Sequence, residues 1–66
     1  GVAGAFCRAM GIDASFPREG TLAKTLYRYN PRVCSEHTLR IIEANDRGDF
    51  NSAWQALDEA LKYGRD

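Results

Sequence analysis

Sixty-six residues allow one small domain, with so little core that every large apolar side chain counts. Nine basic and nine acidic side chains leave no net charge to hold the whole chain against nucleic acid or an anionic surface. No run approaches the ~18 apolar residues that cross a bilayer, and no secretory signal pattern is visible, so a cytoplasmic location without a membrane partner is expected.

The charge is unevenly spread. Residues 1–42 hold six basic and three acidic side chains, and residues 43–66 hold three basic and six acidic ones. A local basic face therefore remains open even though the total is zero, and nothing in the total opposes self-association. Two cysteines, Cys7 and Cys34, are too few for a disulfide framework and read as small buried apolar residues. The chain opens on Gly1 without an initiator methionine, so the expectation is a single helical domain over 1–66, processed or excised from something longer.

In chain order, residues 1–10 are small and apolar around a single charge, Arg8. They predict a short buried helix ended by Gly11, with no capping residue ahead of it. Residues 11–20 read as a connection in which Asp13 or Ser15 caps a single turn. There Pro17 suits a first helical position and Phe16 plugs into the core. A helix over 21–29 follows, capped by Thr21 and carrying Leu22, Leu26 and Tyr29 on one face. Asn30-Pro31 ends it, because the residue before proline avoids the helical region.

The last thirty residues carry the clearest pattern. Ser35 is expected to cap a helix that places Glu36 at the positive end of the dipole. Its apolar face is read as Leu39 and Ile42 with Asp46, widened by Ile41 and Ala44, and Gly48 ends it. The next helix shows a continuous stripe of Ala53, Trp54, Ala56, Leu57, Ala60 and Leu61 at helical period. Asp49, Asn51 or Ser52 are candidate caps, Ser52 and Gln55 have capping-box spacing, and Gly64 suits the end. A connection this short predicts an antiparallel hairpin, with Phe50 and Trp54 filling the space between its helices. The fold expected is all-α: about four short helices ending in that hairpin, the first two lying across it. The candidate core is Phe6, Phe16, Leu22, Leu26, Leu39, Ile42, Phe50, Trp54, Leu57 and Leu61.

Gly48-Asp49-Phe50, Ala53, Leu57 and Ala60-Leu61 together resemble the turn and second helix of a tetratricopeptide repeat. The likeness covers the last third of the chain. It lacks the large-small signature of the repeat's first helix and a proline after Tyr63, and it occurs once, whereas solenoids stack several copies. The run from Val33 to Arg40 resembles the start of the recognition helix in helix-turn-helix regulators, which present a capped helix to the major groove. It departs in its long, proline-containing connection and in Glu36, whose charge opposes phosphate.

Lys24, Arg28, Arg32 and Arg40, interleaved with Tyr27 and Tyr29, are the candidate nucleic-acid contacts, since lysine and arginine neutralise phosphate and tyrosine stacks on bases. Cys34 and His37, with Cys7 as a third donor, are weighed as zinc ligands and set aside for want of a fourth ligand and of the usual paired spacing. No cofactor is expected. Cys34, Ser35 and His37 are neighbours in sequence, which does not assemble a catalytic triad, and no glycine-rich phosphate loop is present, so no enzyme is expected. Arg47-Gly48-Asp49 spells an adhesion tripeptide at a helix-to-helix turn, where each residue has a local task.

The function expected is a small helical protein-protein interaction module, an adaptor or regulator presenting a helix face or groove to a partner helix or peptide. Tyr27, Tyr29, Tyr63 and Met10 are its candidate contacts. A helix-turn-helix-like nucleic-acid-binding domain using the four basic residues is the alternative.

Overall fold

A computed structural model describes residues 1–11 and 19–62. Four α-helices follow in order: α1 (Val2–Ala9), α2 (Glu19–Tyr29), α3 (Ser35–Asp46) and α4 (Phe50–Lys62). The described residues contain no strand, and no helix among them is long and apolar enough to cross a membrane. The expected all-α bundle is therefore the fold: α3 and α4 form the terminal antiparallel hairpin, and α1 and α2 pack across it. The expectations placed on Asp13, Ser15, Phe16, Pro17, Tyr63 and Gly64 fall outside the described residues.

The hairpin turns on Gly48. Its φ of 78° is left-handed, a region open to glycine at no steric cost. That conformation lets Gly48 N–H reach Asn45 O at 3.1 Å and Asp49 N–H reach Ala44 O at 2.9 Å, the paired bonds of a Schellman end. Asp49 then caps α4 by accepting Ser52 N–H on Oδ1 at 3.2 Å. The three candidate caps thus resolve to Asp49. The tripeptide Arg47-Gly48-Asp49 is the turn itself, with Arg47 paired to Asp49 at 3.5 Å.

Two asparagines tie helix ends together across the fold. Asn45, in the last turn of α3, accepts Val2 N–H on Oδ1 at 2.7 Å and so caps α1 from 43 residues away. The helix that lacks a capping residue of its own is capped by another helix. Gly1 makes room for this, since a Cβ at that position would collide with the Asn45 side chain. Asn30 follows α2 and is buried. Its Nδ2 donates to Ala60 O at 3.3 Å and Leu61 O at 3.4 Å, two of the carbonyls that α4 cannot satisfy itself. Its Oδ1 accepts Arg32 N–H at 3.1 Å, which shapes the turn into α3.

The core holds Val2, Ala3, Phe6 and Cys7 of α1, Leu22 and Leu26 of α2, Ile41 and Ala44 of α3, and Ala53, Ala56, Leu57 and Ala60 of α4. Met10, Val33, Ile42 and Leu61 pack against its edge. Three members of the expected core are corrected: Leu39 is 41% exposed, and Phe50 and Trp54 are each 49% exposed. The reason on α4 is steric. Its apolar stripe is wider than so small a bundle can cover, and Ala53, Ala56 and Ala60 take the close contacts because they admit a neighbouring backbone. Phe50 and Trp54 are left on the flank. On α3 the buried side is Thr38, Ile41 and Ala44, because Asn45 must turn inward to reach α1. Leu39, one or two residues out of phase with these, faces away.

Two helix starts also differ from expectation. α2 begins at Glu19, so Thr21 is a helical residue whose carbonyl accepts the Thr25 hydroxyl at 2.9 Å. The cap of α3 is Cys34, in extended conformation (φ −101°, ψ 166°), and Ser35 is the first helical residue. The Asn30 turn, closed by Val33 N–H on Asn30 O at 3.0 Å, sets this register.

Candidate functional site

Two surfaces deserve a chemical reading. The first is a groove of about 300 Å³ between α2 and the start of α3, lined mainly by apolar atoms of Ala23, Tyr27, Val33 and Thr38, with Lys24, Cys34 and Ser35 at its edge. Tyr27 stands 59% exposed here because it lies on the outer side of α2, away from the buried Leu22, Thr25 and Leu26. The second is the outer flank of α4, where Phe50 and Trp54 are one helical turn apart and therefore share a face. Leu61, partly buried, continues the same flank.

At the groove's edge Cys34 and His37 meet. The imidazole Nδ1 accepts the Cys34 backbone N–H at 3.4 Å and lies 3.1 Å from Cys34 Sγ. The arrangement is the reciprocal half of a capping box, with histidine where glutamate or glutamine usually stands. Neighbours in sequence that do not form a triad do form a hydrogen-bonded pair, because the first turn of a helix brings its cap and third residue together.

The zinc reading has no support in the geometry. Cys7 is buried and Cys34 exposed, both are free thiols, and no group of three or more metal-ligating side chains occurs among the described residues. Burial pushes the Cys7 thiol above its ordinary value, which keeps it protonated at neutral pH.

The four basic candidates are not gathered in one place. Lys24 and Arg28 lie one turn apart on the exposed side of α2, and Arg32 is exposed in the turn after it. Arg40 lines a separate polar groove between α3 and α4 with Glu43, Arg47, Ser52, Gln55 and Glu59, where it pairs with Glu59 at 3.1 Å. Of the partner-contact candidates, Tyr27 is well exposed. Tyr29 is about half exposed and rests edge-on against Phe6, with ring centroids 6.0 Å apart. Met10 is partly buried against the core. Phe50 and Trp54 were absent from that set because a stripe of apolar residues at helical period does not say which of its members the neighbouring helices will cover. Compared with protein-family models, curated proteins and solved structures, the chain finds no match. The local likenesses to a tetratricopeptide repeat and to a recognition helix thus stay confined to the residues that carry them.

Proposed function

We propose that this protein is a small helical protein-protein interaction module that offers the outer flank of α4 to an apolar partner helix or peptide. The observation that carries the reading is the pair Phe50 and Trp54, both about half exposed on one face while alanines fill the core side of the same helix. Large aromatics at the surface are the residues most enriched in binding hot spots. Each has on the order of 100 Å² still to bury, and at about 25 cal/mol/Å² the two together offer roughly 5 kcal/mol before the costs of association. That meets only the lower end of those costs, so the pair serves as the anchor of a larger contact.

The nucleic-acid alternative has less behind it, since Arg40 is engaged by Glu59 away from Lys24 and Arg28. Capture from a lysate of the protein's own cells, comparing the natural chain with a Phe50→Lys/Trp54→Lys variant, tests the proposal. A protein retained by the natural chain and lost by the variant supports it. Retention of nucleic acid by both, lost instead in Arg28→Glu, moves the function to the alternative.

A further inference from the structure

The outer face of α3 is used neither by the core nor by the α4 flank. Glu36, Arg40, Glu43 and Arg47 fall at i, i+4, i+7 and i+11 along it, so they form one stripe, and all four are exposed. Their signs alternate: minus, plus, minus, plus. The spacings of four, three and four residues read the same in both directions, while reversing the stripe exchanges every sign. A second α3 laid antiparallel, about a two-fold axis between Ile41 and Ile42, therefore sets Glu36 against Arg47 and Arg40 against Glu43, each twice. A parallel copy in register would set like charges together. We propose that the partner of this face is a second copy of the chain, docked through α3 as a weak antiparallel dimer.

The ion pairs within the chain leave this match open. Arg40 meets Glu59 at 3.1 Å and Arg47 meets Asp49 at 3.5 Å, both at the surface. A guanidinium carries five N–H donors, more than one carboxylate engages, so each arginine can take a carboxylate of the second copy as well. Glu36 and Glu43 have no ion-pair partner among the described residues. Leu39 stands 41% exposed beside the stripe. The two-fold axis brings its two copies to about 7.5 Å apart along the helix direction, close enough to shield each other from water. On the α4 side the stripe borders a groove of about 320 Å³ where Ser52 and Ala56 are small, so a second helix can approach. The absence of net charge removes long-range repulsion between copies. One short helix face buries less than the roughly 1,200 Å² of a stable interface, so the dimer is weak and its specificity comes from charge.

Sedimentation equilibrium of the chain at up to about 1 mM, in about 50 and about 500 mM salt, tests the proposal. A dimer with Kd on the order of 0.3 mM is expected at the lower salt, weakening severalfold at the higher as the charges are screened. Arg40→Glu and Glu43→Arg each turn two attractions into two repulsions. An exposed pair is worth up to about fivefold in Kd, so each variant alone should self-associate at least about tenfold more weakly. An equimolar mixture of the two should dimerise as the natural chain does, because every acid again faces a base across the axis. Circular dichroism confirms that both remain folded, and Glu43→Arg breaks no ion pair of the described chain. Trp54→Lys, on the α4 flank, should leave the dimer intact. A natural chain that is monomeric at about 1 mM in low salt would overturn the proposal. So would a dimer that survives both charge reversals, a mixture that stays monomeric, or a dimer lost in Trp54→Lys, which would move self-association to the α4 flank.

Discussion

Replacing Asn30 should expose how much of this small fold depends on one amide. In Asn30→Ala the carbonyls of Ala60 and Leu61 lose their donor and Arg32 N–H loses its acceptor. The bonds at 3.3 and 3.4 Å are long, so their direct worth is at the low end, but Ala60 is fully buried and a stranded buried carbonyl costs about 1–3 kcal/mol. Arg32 N–H is only partly buried and can turn to water, adding about 0.5 kcal/mol. A total near 2 kcal/mol, divided by an unfolding entropy of about 2.1 cal/mol/K per residue, lowers Tm by roughly 14 °C in a chain of this length. Asn30→Asp keeps the shape and replaces the donor by a carboxylate. It faces carbonyl oxygens at the negative end of α4, so at pH 7 it should be worse than alanine.

The sign of its pH dependence distinguishes the two variants. The introduced carboxyl is harder to ionise in the folded state, so its folded pKa lies above the unfolded value of about 3.9. Its neutral form can donate a hydrogen bond. Relative to Asn30→Ala, stability should therefore be highest below about pH 3.9 and fall as pH rises through the folded pKa. Thermal unfolding by far-UV circular dichroism from pH 3 to 7 on both variants measures this difference and cancels effects common to them. Equal stability of the two at every pH would refute the inter-helix cap.

Three further outcomes follow from the same geometry. Asn45→Ala should cost about 1 kcal/mol through loss of the α1 cap, and Gly1→Ala a similar amount by displacing that side chain. In the double variant the two costs should not add, which a thermal-denaturation double-mutant cycle detects as coupling. Gly48→Ala should cost about 1–2 kcal/mol in a urea titration, all of it conformational, since no atom stands within 4 Å of the added Cβ. The Asp49 carboxyl is held below its ordinary value by hydrogen bonds from Ser52, with Arg47 adding to the effect. Its folded pKa is depressed, so its stabilisation is present above the unfolded pKa and fades as pH falls through the folded one. Asp49→Ala should therefore flatten the acid limb of a Tm-against-pH curve and lower Tm at pH 7.

Periodicity made the helices legible, and glycine placed two of their ends: Gly11 and Gly48 both have positive φ. What periodicity could not supply was rotation about the helix axis. Trp54 and Ala53 are adjacent members of one stripe, and only packing decides that the alanine goes inward. The same limit hid Thr38 and Asn45, polar residues on the buried or inward side of α3, behind the more apolar Leu39. Long-range caps left no local mark at all, because Asn45 and Val2 are joined only by the fold. Cys34 and His37 are neighbours in the sequence, where Ser35 is the better capping residue type. Their contact depended on the helix beginning one residue earlier.

The most direct test of the α4 surface is the affinity of a captured, purified partner for the natural chain, for Trp54→Lys and for Arg28→Glu, at about 50 and 200 mM salt. The affinity should be nearly indifferent to salt and to Arg28→Glu. Trp54→Lys should lose about 2 kcal/mol, near thirtyfold in Kd. An affinity that collapses with salt, survives Trp54→Lys and disappears in Arg28→Glu would contradict it.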